Sequence, residues 1–268
     1  MDSDYRNQLF EQAKEWIFSA GKRIRESMQE PLQIETKSDE NDLVTIVDKQ
    51  TENFFASAIR SQYPDHGLLG EEGYGDALDN LDGTVWIIDP IDGTMNFVHQ
   101  KRNFSISVGI YHDGVGEIGF IYDVMEEVLY SAKRGEGAYK NGERLPKLQE
   151  EVPLKRAILG MNHYWLCKNR VRNEHVMQDL AKTVRGLRTY GSAALEFAYV
   201  AEGLLDGYMA MSLAPWDIAA GIIIVHETGG KTTDINGRKL DLLQKSPILT
   251  CNPSLQKNLL SWLDKGRE

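Results

Sequence analysis

The sequence predicts an α+β protein, a layered α-β-α-β-α sandwich in which a largely antiparallel N-terminal sheet with its helices is followed by a smaller α/β subdomain. Three patterns predict it. Apolar residues recur at helical spacing from Leu9 to Ile59, short apolar runs joined by turn residues follow from Leu68, and strand-like and helix-like segments then alternate from Ala157 onward. The boundary falls near residue 150, giving two apposed subdomains, 1–150 and 151–268, with no internal repeat and no low-complexity linker.

Leu9, Ala13, Trp16, Ile17, Ala20, Ile24 and Met28 form the apolar stripe of one long first helix. Helical spacing returns at Val47, Phe54, Phe55, Ala58 and Ile59, and Tyr63-Pro64 closes that second helix. Strands are expected at Gly67 to Leu69, Val85 to Ile88, Phe104 to Tyr111, Val115 to Tyr122 and Val128 to Ala132. His112-Asp113-Gly114 and Asn141-Gly142 supply hairpin chemistry between antiparallel neighbours. Beyond residue 150 the pattern reads as strand Ala157 to Met161, helix Val171 to Val184, strand Leu187 to Tyr190 and helix Ala193 to Ala201. It continues as strand Gly207 to Met211, the almost wholly apolar helix Ile218 to Val225, strands Lys231 to Asp234 and Ile248 to Cys251, and a last helix Leu255 to Leu263.

Composition narrows the function. Thirty Lys and Arg against 40 Asp and Glu give a net charge of −10, which argues against non-specific binding to a nucleic acid backbone. The longest apolar run, Ile218 to Val225, is far short of a membrane span, and the N-terminus lacks the basic start and apolar core of a signal peptide, so a cytoplasmic location is expected. Cys167 and Cys251 stand in unrelated contexts without a zinc or redox partner motif and read as buried or neutral thiols.

The most informative stretch is Trp86-Ile87-Ile88-Asp89-Pro90-Ile91-Asp92-Gly93-Thr94, where an apolar strand runs into two aspartates. Pro90 is expected to stop the sheet ladder and Gly93 to free the backbone, so that both carboxylates face one point while the amides of Gly93 and Thr94 face an anion. Asp92-Gly93 alone reads as a plain turn. Gly70-Glu71-Glu72-Gly73 places adjacent like charges on a short loop, ordinary at a surface and repulsive unless a cation lies between them. Asp42 and Asp48 bracket Leu43 to Val47, and Thr45 to Asp48 has capping-box spacing. Asp217 follows Pro215-Trp216 at a helix opening, where a capping acid belongs. Asn80-Leu81-Asp82-Gly83-Thr84 has the outline of a haloacid dehalogenase motif, but Asn80 occupies the nucleophile's position and no apolar strand precedes it, which argues against aspartyl-phosphate chemistry.

Taken together these segments resemble, in residue type, order and approximate spacing, the signature of the inositol monophosphatase family, and the matching stretches run from about Lys37 to Ile248. The resemblance implies a Mg²⁺-dependent phosphomonoesterase that hydrolyses inositol-1-phosphate by metal-activated water, in a lithium-sensitive family whose members form dimers. It also implies two or three Mg²⁺ per site: Glu71, Asp89 and the Ile91 carbonyl on one, Asp89, Asp92 and Asp217 on a second, and Glu71 near a weaker third. Most of these ligands fall in residues 1–150, and the second subdomain completes the site. By the same resemblance Thr94 and Asp48 activate water, with Glu71 in the catalytic set, and the Gly93 and Thr94 amides bind phosphate. Gly191, Ser192 and Ala193, with Asp217, lie against the substrate alcohol, although small residues at a strand-to-helix turn have a structural reason of their own. Asp42 and Glu72 flank these positions, and Lys37 matches a family lysine or is a solvated loop residue. Ala210 departs from the pattern, since animal members carry there a glutamate that contacts inositol hydroxyls. Fructose-1,6-bisphosphate, NADP or 3′-phosphonucleotide hydrolysis stay open within the same chemistry. A regulatory binding module is the reading from another class, against which the retention of Asp48 and Thr94 weighs.

Overall fold

The computed structural model describes residues 1–29, 34–36, 43–149 and 151–265. Helix α1 (Ser3–Ser27) buries Leu9, Ala13, Trp16, Ile17, Ala20 and Ile24, the stripe expected from their spacing. A short antiparallel pair, β1 (Ile34–Thr36) and β2 (Leu43–Thr45), leads into α2 (Ile46–Gln62). That helix opens on the expected capping box: Thr45 Oγ1 accepts from the Val47 and Asp48 amides, and the Asp48 carboxylate accepts from the Thr45 amide.

Seven strands then pair in chain order: β3 (Gly67–Gly70), β4 (Thr84–Asp92), β5 (Ser105–His112), β6 (Val115–Asp123), β7 (Val128–Lys133), β8 (Gly137–Lys140) and β9 (Glu143–Arg144). All neighbours are antiparallel except β3 and β4, which run parallel. Strand β4 departs from expectation. It does not end at Pro90 but pairs on to Asp92, with a register break after Asp89: three steps on β4, from Asp89 to Asp92, face two on β5, from Ser107 to Ser105. One extra residue is thus bulged out around Pro90, where a ring without an N–H costs no ladder bond. The bulge has a second effect. Residues three apart in a regular strand point to opposite faces, and one inserted residue returns Asp92 to the side of Asp89.

A short helix the sequence did not signal, α3 (Thr94–Gln100), follows from Gly93, whose φ of 96° lies in the left-handed region open to glycine. The second half builds a mixed five-stranded sheet from β10 (Ile158–Gly160), β11 (Gly186–Arg188), β12 (Gly207–Leu213), β13 (Lys231–Asp234) and β14 (Ser246–Cys251), in the order β11-β10-β12-β14-β13. Strand β10 runs parallel to β11 and β12, and the remaining pairs are antiparallel. Helices α4 (Glu174–Thr183), α5 (Ala193–Glu202), α6 (Pro215–Glu227) and α7 (Pro253–Lys265) complete the chain. Helix α4 begins at Glu174 rather than Val171 because the Asn173 side chain accepts from the His175 amide and sets the helix start there.

Three apolar clusters define five layers. Helices α1 and α2 pack on one face of the seven-stranded sheet, α5 and α6 fill the space between the two sheets, and α4 and α7 cover the outer face of the five-stranded one. Helix α6 is apolar almost all round because it is buried almost all round. Its approach to the sheet is close: a Cβ at Gly109 would stand 2.9 Å from the Ala219 Cβ, and one at Gly119 would stand 2.7 Å from the Ala220 carbonyl oxygen. Cys251 is buried, which pushes its thiol up to about 12, whereas Cys167 is exposed, and both are free. Among the described residues no helix is long and apolar enough to cross a membrane.

The missing Cβ at Gly119 gives a direct check on this seam. Gly119→Ala should destabilise the protein by about 1–3 kcal/mol, the scale of overpacking a well-filled core, in a urea titration followed by circular dichroism. An unchanged midpoint would mean that α6 has room to move.

Candidate active site: a carboxylate centre at the end of β4

The bulge in β4 brings Asp89 and Asp92 to one side, and the first turn of α6 brings Asp217 to meet them. One carboxylate oxygen from each of the three lies within 4.8 Å of the others. Each aspartate is held by its own backbone donors. Asp89 Oδ1 accepts from the Ile91 amide at 3.0 Å, and Asp217 Oδ2 accepts from the Ala214 amide at 2.7 Å. Asp217 therefore does what a capping acid does while also facing the centre. Ala214 has no side-chain acceptor to return the bond, so this box is one-sided.

Asp92 carries a bond that sequence reasoning missed. Its carboxylate accepts from the Ser192 hydroxyl, from the Ala193 amide at 3.1 Å and from the Ala194 amide at 2.8 Å, so it caps α5 from the other sheet. Gly191-Ser192-Ala193 is thereby fixed against the centre, with the Ser192 hydroxyl and Ala193 amide directed at Asp92. Gly191, at φ 81°, is backed by Asn96, whose side-chain amide donates to the Asn103 carbonyl at 2.8 Å and the Tyr190 carbonyl at 2.6 Å.

Asp48 divides its two oxygens. Oδ2 takes the Thr45 amide at 3.0 Å and the Thr45 hydroxyl at 2.5 Å, and Oδ1 lies 3.2 Å from the Thr94 hydroxyl. Thr94 Oγ1 is also 3.2 Å from the Ile91 carbonyl, so its single proton has two acceptors to choose between. Glu71, on the loop after β3, is not one of the three converging acids, yet its charge acts on Asp48, Asp89, Asp92 and Asp217 alike. Glu72 presents its backbone amide to Glu52 rather than to the centre. Ala210 is buried on β12 opposite Ile248, within the core between the sheets. Lys37 and Asp42 lie outside the described residues.

Burial is the main force on these acids, and their neighbours add to it. Asp89 is held well above the usual carboxylate range by desolvation, then by the charges of Glu71, Asp92, Asp217 and Asp48. Desolvation and Asp92 push Asp217 up to about 8. Asp92 rises to about 6, with the Ser192, Ala194 and Ala193 donors opposing its desolvation. Asp48 is raised by burial against the pull of its Thr45 bonds. The donor set is all oxygen, convergent and too negative to stay ionised unless a cation sits among its members, which fits a hard divalent ion such as Mg²⁺.

Of the other buried acids, Glu52 and Glu196 stand near the centre and went unseen in the sequence. Glu52 on α2 accepts from the Glu72 and Tyr74 amides at 2.6 and 2.9 Å. Glu196 on α5 accepts from the Tyr190 amide at 3.0 Å, and burial pushes it up to about 7. Glu196 stands among apolar neighbours on its helix, where a lone acid was the available signal, whereas Glu52 shares its buried face with Asp48.

A pH dependence follows from the raised aspartates. In the folded, metal-free state they hold protons that the unfolded chain gives up near pH 4, so the folded state binds more protons over that interval and stability falls as pH rises through the folded values. In chelator, the melting temperature should therefore be lower at about pH 8.5 than at about pH 6, and added Mg²⁺ should raise it more at the higher pH. Equal Mg²⁺-induced shifts at both pH values in scanning calorimetry would contradict the assignment.

The inositol monophosphatase family model matches residues 6–267. The inositol-1-monophosphatase of Bacillus subtilis is 52% identical over 252 residues, covering 94% of this chain and 95% of that protein. Among solved structures, inositol monophosphate-bound SaIMPase-II superposes with a TM-score of 0.86 at 41% identity, over 96% of this chain and 94% of the other. An IMPase/NADP phosphatase complexed with Mg²⁺ and phosphate gives a TM-score of 0.88 at 29% identity, over 96% and 95%.

Proposed function

The chain belongs to the inositol monophosphatase family of phosphoric monoester hydrolases, and on that premise we propose that it hydrolyses inositol-1-phosphate to inositol and phosphate with Mg²⁺ as cofactor. The observation that carries this reading is the Thr94 hydroxyl, 3.2 Å from Asp48 Oδ1 at the edge of three convergent aspartates. Glu71, Asp89 and the Ile91 carbonyl would hold one ion, Asp89, Asp92 and Asp217 a second, and Glu71 would serve a weaker third. Bound Mg²⁺ supplies charge neutralisation at the phosphoryl oxygens and a lowered pKa for water.

The remaining work falls to side chains and amides of this chain. Thr94 gives its proton to Asp48 Oδ1 and takes one from the attacking water, so the proton moves from water through the hydroxyl to the carboxylate. Asp48 is suited to receive it because burial raises its proton affinity while Thr45 fixes its other oxygen. The water oxygen bonds to phosphorus and the ester P–O bond breaks; the leaving alcohol oxygen takes a proton from solvent, and Asp48 returns its proton to solvent, which balances the turnover. The Gly93 and Thr94 amides, at the opening of α3, bind the phosphoryl oxygens. Gly191, Ser192 and Ala193 line the side of the leaving alcohol.

A second reading, a broader phosphatase that also accepts NADP, 3′-phosphonucleotides or fructose-1,6-bisphosphate, is favoured by Ala210. A buried methyl stands where the resemblance places a carboxylate that reads inositol hydroxyls, and a site without that partner discriminates less. The homodimer implied by the family rests on that resemblance, and sedimentation analysis tests it.

Phosphate release with Mg²⁺ over a panel of monoesters tests the whole reading. kcat/KM for inositol-1-phosphate should exceed that for 2′-AMP or glycerol-2-phosphate by less than ~10³-fold, below the ~10⁴-fold or more by which hydroxyl-reading sites discriminate. Turnover of none of these esters would refute the enzyme assignment.

Thr94→Ala should lower kcat by ~10²-fold or more with Mg²⁺ affinity unchanged, as expected for loss of positioned acid–base help. A change confined to KM would make Thr94 a binding residue. Asp89→Asn should remove both turnover and Mg²⁺ binding, and turnover near the wild-type rate at saturating Mg²⁺ would remove Asp89 from the centre.

A further inference from the structure

Helix α2 presents two buried acids one turn apart. Asp48 turns toward Thr45 and Thr94, and Glu52, with no solvent exposure at all, turns toward the loop that carries Glu71. Its Oε2 accepts from the Glu72 amide at 2.6 Å and its Oε1 from the Tyr74 amide at 2.9 Å, and the Glu71 amide adds a third donor. Desolvation raises the proton affinity of Glu52, and these backbone donors oppose that rise. The loop is shaped to receive the carboxylate: a Cβ at Gly70 would stand 2.6 Å from the Glu52 carboxyl carbon. Its base is closed separately, by Asp76 Oδ2 on the Leu68 amide at 2.8 Å and by Arg60 on the Tyr74 carbonyl at 2.7 Å.

The chemistry of the clamp requires an ionised acid. Several N–H donors converge on one group, and only a carboxylate accepts on both oxygens; glutamine, with the same heavy-atom outline, turns an NH₂ toward one of the amides. We propose that Glu52 is a positioning residue, whose buried carboxylate gathers the amides of the 71–74 turn and so sets where Glu71 faces the carboxylate centre. The proposal rests on the reading of Glu71 as a Mg²⁺ ligand. It assigns Glu52 no contact with substrate.

The test uses the full chain, with Mg²⁺ binding by calorimetry and amide hydrogen exchange as readouts beside activity. Glu52→Gln should weaken Mg²⁺ binding by ~10-fold or more, as for partners that orient metal ligands, and speed exchange of the Glu72 and Tyr74 amides, while kcat at saturating Mg²⁺ stays within a few-fold of wild type. Gly70→Ala, which keeps Glu52 but displaces its carboxylate, should act in the same direction, and it decides the matter if Glu52→Gln fails to fold. Glu71→Gln should also weaken Mg²⁺, and adding Glu52→Gln to it should cost little more, because the clamp works through Glu71. If Glu71→Gln weakens Mg²⁺ but neither Glu52→Gln nor Gly70→Ala does, the clamp is overturned and Glu71 keeps its role. Independent, multiplying losses in the double variant would overturn it too. Unchanged Mg²⁺ affinity in Glu71→Gln would instead remove the reading on which the clamp rests.

Discussion

Electrostatic repulsion among buried carboxylates is the constraint around which this fold is arranged. The buried Asp48, Asp89 and Asp92 and the half-buried Asp217 come from three places in the chain and face a region with little water to screen them. The protein offsets part of this repulsion with backbone. Asp48 sits in the first turn of α2, Asp217 in the first turn of α6, and Asp92 against the first amides of α5. Three helix N-termini, each with unsatisfied N–H groups and a partial positive charge, are thus aimed at one group of acids. What they leave uncompensated is the binding energy available to a divalent cation.

The layered architecture serves that convergence. The acids of β4 belong to the seven-stranded sheet and Asp217 to a helix packed between the two sheets, so the centre forms only where α6 lies close. Gly109 and Gly119 permit that approach by offering no side chain to α6. Ser107, on β5, donates to the Trp216 carbonyl at 3.2 Å and fixes the start of α6 beside the end of β4. Packing at the seam and chemistry at the centre are therefore set by the same few residues.

Much of this was legible in the sequence, and the rest was hidden for physical reasons. The apolar stripes of α1 and α2, the hairpin turns and the outline of the carboxylate segments could be read because they depend on neighbours in sequence. Asp48 and Asp217 posed a choice between capping and function; in the structure each caps its helix, Asp217 beside Asp89 and Asp92 and Asp48 beside Thr94. The bulge in β4 was not legible: proline signals an interruption, but the shift in side-chain parity that aligns Asp89 with Asp92 depends on β5. The capping of α5 by Asp92 spans the two sheets and leaves no local trace. Glu52 and Glu196 looked like ordinary helix acids until their surroundings were known. The order of the five-stranded sheet, set by long-range pairing, had no sequence signal, whereas the family resemblance rested on four segments that happen to be the ones lining the centre.

The bonds from Ser192, Ala193 and Ala194 to Asp92 have a consequence for how the protein comes into being. The strand that holds Asp92 is made early, but its carboxylate is satisfied only when a helix synthesised much later docks against it, and the third aspartate arrives later still. A nascent chain therefore carries the first acids of the centre long before it can use them. Until α5 docks, Asp92 lacks its Ser192, Ala193 and Ala194 donors, and the full burial of the centre needs the second half. The complete carboxylate centre therefore exists only when both halves of the chain are in place.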